Sequence, residues 1–370
     1  MSNKPENSIL DFTPDYIKNW LTDNDYPAFR STQITQWLFH RGAKTISDMT
    51  DLSKKLRDEL SASFSLNELP IHSKQVDPSD KTEKYLFRLE DDEYVEAVLM
   101  PRYSSEIRTN PTTGKVNSCS LNDIEGYTVC LTTQVGCKFA CRFCASGKAG
   151  FKRNMPPSEI VSQILSFKRM GHDVSRIVFM GTGEPLHNLD SLRTAIEIIT
   201  SKYGLGMSPR RITISTVGLV PEIYRMARER WKVKLAVSLN CADNSNRAKL
   251  MPIAKVYHLD QLKDAVQEYQ RSNGRRVSFE YMMLDDVNDS KQDAQRLRKF
   301  CEGINCHVNL IPFNQVTDSD FKPSSTQKIQ DFKHCLREGK FDVTVRYSRG
   351  RNIDAACGQL RLRHELAKEQ

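Results

Sequence analysis

The sequence predicts an α/β protein: a partial, open β/α barrel of about six parallel strands, preceded by a small helical N-terminal domain. Two patterns lead there. From Tyr127 onward, short β-rich runs alternate with helical runs, "YTVCLTTQVG", "RIVFMG", "RITISTVG", "VKLAVSLN", "RVSFEYMML" and "HVNLIPFN" being the strands. Alternation at this spacing implies parallel strands joined by helical crossovers. Six strands fall short of the eight of a closed barrel, which leaves an open one, with a doubly wound open sheet as the alternative. The second pattern lies before about residue 75, where apolar residues recur three and four apart, the period of an amphipathic helix.

Taken in order, "PDYIKNWLTDN" and "STQITQWLFHRG" read as the first helices, the second with an N-cap at Ser31–Thr32. In "TISDMTDLSKKLRDELSASF", Asp51 or Ser53 opens a third. From Lys84 the period changes to that of strands: "KYLFRLED" and "EYVEAVLMP" are joined by the acidic turn "EDDE". The polar stretch "SSEIRTNPTTGKVNSCSLNDIEG" carries Pro111 and Gly114, has no period, and reads as a flexible hairpin extension. The expected division is a helical accessory domain over 1–75 that is a candidate RNA contact, a hairpin extension with its loop over 76–125, the barrel over 126–357, and a tail over 358–370.

The 370 residues are 39% hydrophobic and 27% charged, ordinary for a soluble globular protein. No apolar run approaches the ~18 residues of a membrane span, and the N-terminal "MSNKPENSILDF" lacks the apolar core of a signal peptide. A cytoplasmic protein without membrane attachment is expected. Thiols are kept reduced there, so ten cysteines point to metal or catalytic use rather than a disulfide framework. Lys plus Arg exceed Asp plus Glu by 54 to 46, which suits a polyanionic partner such as RNA.

One stretch carries distinctive chemistry. In "GCKFACRFCASG", Cys137, Cys141 and Cys144 form a C-x3-C-x2-C triad, one thiolate short of a closed metal site. Three thiolates can hold three irons of a [4Fe–4S] cluster and leave the fourth open to a small chelating molecule. S-adenosylmethionine, with its amine and carboxylate, is such a molecule, and one-electron cleavage of its sulfonium yields a radical able to attack C–H bonds. Structural zinc is the alternative; it requires four closed ligands, with the distant Cys130 as the fourth. Phe143 offers the cluster an apolar wall.

This triad, followed by "MGTGEPLHN", "ISTVG", "SLN", "NLIPFN" and "DAACGQL", resembles the RlmN/Cfr family of radical S-adenosylmethionine RNA methyltransferases over roughly residues 20 to 360. "GEPLHN" is closer to the RlmN branch. The resemblance implies a radical S-adenosylmethionine core binding one [4Fe–4S] cluster and consuming two S-adenosylmethionine molecules per turnover. It implies methylation of adenine C2 in 23S ribosomal RNA at the peptidyl-transferase-centre adenosine 2503, with the adenosine 3′ of the tRNA anticodon as a second target. Methylation at C8, as in the Cfr branch, and a zinc-stapled non-enzymatic RNA-binding protein are the alternatives. An external, flavodoxin-like electron donor and a monomeric state are further expectations.

The resemblance also assigns roles. Gly183, Glu184, Ser215, Ser238, Leu239, Asn240 and Asn314 hold S-adenosylmethionine; each follows or ends a predicted strand, where barrel enzymes build their sites. Asn240 stands where the family usually has His, and Thr182 is a further departure. Cys357 carries the methyl group as S-methylcysteine, and the carbon radical made from it adds to the base. Glu96 accepts the ring proton, and Cys130 then attacks the sulfur of Cys357, closing a transient disulfide as the product leaves. Cys119, Cys241, Cys301, Cys306 and Cys335 read as structural. Lys148, Lys152, Arg153, Arg346, Arg349 and Arg351 flank this chemistry and are expected to meet phosphates, with Phe151 and Tyr347 placed to stack on bases.

Overall fold

The computed structural model describes residues 5, 7–103, 124–148, 150–314, 320–350 and 353. Cys357, Cys119, Arg351, residues 358–370 and most of the polar stretch before Tyr127 lie outside the described residues.

The N-terminal unit contains α1 (Pro14–Asp23), α2 (Arg30–Gln36) and α3 (Lys54–Ser63). Thr13 caps α1 and Ser53 caps α3, each accepting a backbone N–H with its hydroxyl. The expected cap at Ser31–Thr32 is not formed. The helix already begins at Arg30, and the Ser31 hydroxyl donates back to the Ala28 carbonyl at 2.7 Å. Asp51 holds the Trp37 indole and the Arg41 guanidinium at 2.7 and 2.9 Å rather than opening a helix.

Ten strands form one sheet in the order β1-β2-β3-β4-β7-β8-β9-β10-β11-β12. β1 (Ile71–Val76), β2 (Glu83–Arg88), β3 (Tyr94–Tyr103) and β4 (Ile124–Cys130) pair antiparallel. From β4 onward every pairing is parallel, through β7 (Val174–Phe179), β8 (Ile212–Thr216), β9 (Lys234–Ser238), β10 (Val277–Met283), β11 (Cys306–Pro312) and β12 (Asp342–Val345). Seven parallel strands are thus present where six were expected; β12 has only four residues, too short to show a period. β1, half exposed, lies within the stretch expected to be helical. β5 (Gln134–Gly136) and β6 (Phe151–Asn154) make a small hairpin above the sheet.

Crossover helices follow the parallel strands, α5 (Pro157–Arg169) and α6 (Leu189–Thr200) among them. Alternation along β7 to β10 sends one row of side chains to these helices and the other into the barrel. The outward row (Ile177, Phe179, Ile212, Ile214, Leu235, Phe279) is fully buried and belongs to one continuous core with the N-terminal helices. The N-terminal unit lies along α5. The Asp11 carboxylate accepts the Ser158 N–H at 2.8 Å at the start of that helix, favoured by the helix dipole. At its other end, Arg169 donates to the Ala43 carbonyl at 2.6 Å. No helix among the described residues is long and apolar enough to cross a membrane.

Candidate active site

The inward row of the barrel opens, at the C-terminal ends of the parallel strands, into a cavity of about 380 Å³. Cys137, Cys141 and Cys144 line it together with Gly183, Glu184, Ser215, Ser238, Asn240 and Asn314. The segments that sequence reading tied to separate strand ends therefore converge on one space. Leu239 is the exception: its side chain is buried in the core, and only its backbone takes part, accepting the Cys241 N–H.

The cysteine loop is the tip of the β5–β6 hairpin. Gly136 starts it at φ +80°, where a Cβ would sit 1.9 Å from the Gly150 carbonyl oxygen, so only glycine fits. Successive bonds then wind the loop: Cys137 N–H to Gly150 O at 2.8 Å, Cys141 N–H to Phe139 O at 2.7 Å, Cys144 N–H to Cys141 O at 3.0 Å. The Arg142 N–H reaches the Leu250 carbonyl at 3.0 Å, tying the loop to the end of α8 (Asn244–Leu250).

These thiols suit a cluster better than a single ion. Tetrahedral zinc with bonds of about 2.3 Å requires sulfurs about 3.8 Å apart. Among the described residues, the one set of three such ligand atoms within 4.8 Å of one another is Asp285, Asp286 and Asp289, not the cysteines. Burial pushes the Cys137 thiol up to about 12 and raises that of Cys141 as well, with neighbouring thiols adding to the effect. Thiols this reluctant to ionise become ligands when a cation among them offsets the cost of burial.

Next to the loop, Glu184 bridges two strand ends. One carboxylate oxygen accepts the Leu186 N–H at 3.0 Å and the other the Val217 N–H at 2.8 Å. Burial nevertheless pushes its carboxyl up to about 7, against those hydrogen bonds. Its own N–H donates to the Gln134 side-chain oxygen at 2.7 Å. Ser215 and Ser238 hydroxyls face each other at 3.4 Å. Asn240 adopts φ +55°, a region asparagine tolerates better than most residues, and its side-chain oxygen accepts the Met282 N–H at 2.9 Å.

Cys130 ends β4 between Val98 of β3 and Val178 of β7, and lines the same cavity. Glu96 does not line it. It lies one inward position before Val98, buried, in an ion pair with Lys84 at 2.9 Å. Both side chains are almost fully enclosed, at 4% and 0% exposure. Nothing in the sequence singles out Lys84; the strand register that sets it opposite Val98 is what turns it inward. Arg346, Tyr347, Ser348 and Arg349 also line the cavity. Arg349 donates to the Pro101 carbonyl at 3.2 Å and Gly350 to Asp80 at 3.0 Å, which pins the chain seven residues before Cys357. Arg153 and Lys152 differ from expectation. Arg153 is held by Asp91 and Glu159, and Lys152 by Glu93, so carboxylates already engage both cations.

An open barrel with three cysteines on a loop above its first parallel strand, sharing a cavity with the next strand ends, defines a radical S-adenosylmethionine enzyme. Residues 131–301 match the Radical SAM superfamily. Residues 7–66 match the ribosomal RNA large subunit methyltransferase N-terminal domain. A probable dual-specificity RNA methyltransferase RlmN of Lysinibacillus sphaericus is 41% identical, covering 96% of this chain and 88% of the relative. The Bacillus subtilis protein of the same name is 40% identical over 96% of this chain and 93% of its own. The crystal structure of a radical SAM methyltransferase from Sphaerobacter thermophilus superposes with a TM-score of 0.84 at 37% identity, covering 95% of this chain and 98% of that one. The chain belongs to the RlmN family of radical S-adenosylmethionine methyltransferases, whose cofactors are a [4Fe–4S] cluster and S-adenosylmethionine.

Proposed function

We propose that the protein methylates C2 of an adenine in large-subunit ribosomal RNA, at the peptidyl-transferase centre, and the adenosine 3′ of the anticodon in tRNA. The single observation that carries this reading is the cavity that Cys130 shares with the three cluster cysteines, walled on another side by the segment leading to Cys357. The names of the relatives, and the ribosomal RNA methyltransferase domain matched at residues 7–66, supply the substrate class.

Cys137, Cys141 and Cys144 hold the cluster, while Gly183, Glu184, Ser215, Ser238, Asn240, Asn314 and the Leu239 backbone position S-adenosylmethionine. When bound, these groups supply the methyl carbon and the radical chemistry that activates it. The chain does the rest. Cys357 carries the methyl carbon to the base. Phe139 and Phe143 on the cavity wall keep water away from a reactive carbon. Glu96 takes the proton that must leave before the ring regains aromaticity, and Lys84 holds its carboxylate in place at 2.9 Å. The Cys130 thiolate attacks the Cys357 sulfur, the carbon–sulfur bond breaks with its electron pair going to the carbon on the base, that carbon takes up a proton to become the methyl group, and a disulfide forms that an external thiol reduces. The protein acts as a monomer in the cytoplasm, with an external one-electron donor.

Nucleoside mass spectrometry of ribosomal RNA and tRNA treated with the reconstituted enzyme tests the reading. 2-Methyladenosine in both is expected; 8-methyladenosine alone would replace this assignment with the Cfr-type reaction. Cys130→Ala should accumulate a covalent protein–RNA adduct that Cys357→Ala never forms, and normal turnover by Cys130→Ala would remove its assigned role.

A further inference from the structure

Behind the cysteine loop stands a buried cation with no carboxylate. Arg247, on α8, is 1% exposed and is the largest fully buried side chain among the described residues. Its Nε donates to the Leu239 carbonyl at 3.0 Å and an Nη to the Val217 carbonyl at 2.7 Å. Both partners are neutral, and among the described residues no carboxylate oxygen lies within 4.0 Å of the guanidinium. Lys328 shows the ordinary solution: Asp285, Asp286 and Asp289 surround it at 2.8, 2.6 and 3.5 Å. An isolated buried ion is costly, so a counter-charge is to be expected close by.

The cysteine loop provides the place for one. Arg247 is one turn before Leu250, whose carbonyl accepts the Arg142 N–H next to Cys141. Val217, whose carbonyl Arg247 holds at 2.7 Å, lines the same cavity as Cys137, Cys141 and Cys144. A [4Fe–4S] core with three thiolates has a net charge of minus one when oxidised and minus two after accepting one electron. A fixed positive charge nearby stabilises the second state more than the first.

We infer that Arg247 is a positioning residue that favours one-electron reduction of the cluster held by Cys137, Cys141 and Cys144, while its two hydrogen bonds clamp the ends of β8 and β9 together. The inference rests on the cluster assignment above. The electron comes from an external one-electron reductant such as a reduced flavin, and no bond or proton moves with it.

The test is an electron-paramagnetic-resonance redox titration of reconstituted wild type, Arg247→Gln, Arg247→Lys and Cys241→Asp, after iron and sulfide have been counted in each. Arg247→Gln should lower the ratio of reduced to oxidised cluster at fixed potential about tenfold, a displacement of about 59 mV to the negative for a one-electron couple. Arg247→Lys keeps the charge but loses the planar pair of hydrogen bonds donated to two carbonyls, and should stay within about twofold of wild type. The Cys241 N–H and the Arg247 Nε share the Leu239 carbonyl, so Cys241→Asp sets a carboxylate beside an intact guanidinium. It should move the potential in the same direction as Arg247→Gln, and it decides the matter if that variant does not load. Unmoved potentials overturn the inference, as does an equal displacement in Arg247→Gln and Arg247→Lys, which would assign the effect to hydrogen bonding alone. A wild-type chain that binds no cluster removes the site assignment itself, whereas a loaded wild type with unmoved variants removes only this inference.

Discussion

The two ends of the barrel treat cations in opposite ways. At the cavity end, Lys84 is wholly enclosed and pairs with Glu96 at 2.9 Å. At the other end, Arg102, Arg176 and Lys234 point inward from β3, β7 and β9, on the same faces as Met100, Val178 and Ser238, and none forms an ion pair among the described residues. Partial burial and then repulsion from Arg102 and Arg211 depress the Arg176 guanidinium; burial, Arg176 and Arg275 do the same to Lys234. The difference is one of solvent. Arg176 and Lys234 are exposed, so water screens their repulsion, while an enclosed ammonium without a partner would be far more costly. Charge can therefore be left unmatched where water reaches it, whereas the enclosed Lys84 is met by a carboxylate at 2.9 Å.

This contrast can be broken by substitution. The largest effect belongs to the cysteine loop: Cys141→Ala should abolish cluster loading and methyl transfer, read as iron per chain and product formed. Next comes Lys84→Met, which strands the Glu96 carboxylate and should cost about 3–5 kcal/mol in urea unfolding. Adding Glu96→Leu should recover most of that loss; a double variant as unstable as the single one would show that the pair is not the cause.

Glu184 gives a pH signature. Its folded value of about 7 lies above the ordinary 4.5, so between those pH values the unfolded chain has released a proton that the folded chain keeps. Stability of the chain stripped of cofactors should therefore fall as pH rises through that window. Glu184→Gln lacks this loss, so its disadvantage relative to wild type should narrow by on the order of 3 kcal/mol from pH 4.5 to 7. A pH-independent difference between the two would contradict the assigned burial. The smallest effect is at the far end: Arg176→Gln should stabilise by at most about 0.5 kcal/mol at low salt, vanishing in 1 M salt.

The parallel strands and their crossovers were legible because each carries enough residues to show its period. β12 and the β5–β6 hairpin were not, being four residues or fewer. The strand-end motifs that line the cavity were visible as local words in the sequence. Lys84 and Arg247 were not, because a lysine in a strand and an arginine in a short helix look like solvated surface; only pairing register and helix placement enclose them. The same limit applies to Lys152 and Arg153, whose partners Glu93 and Asp91 lie about 60 residues away in sequence.

One side-chain amide has a reach beyond its size. Gln134 precedes the turn into the cysteine loop by two residues. Because its oxygen receives the Glu184 N–H, its nitrogen must be the atom facing Asn154 at 2.8 Å and His187 Nδ1 at 2.9 Å. The imidazole is thereby committed to carrying its proton on Nε2. The cysteine loop and the stretch from Glu184 to His187 thus share a single molecular gauge. Neither can slide without turning that amide over and setting donor against donor, so one side chain fixes the spacing between the two stretches.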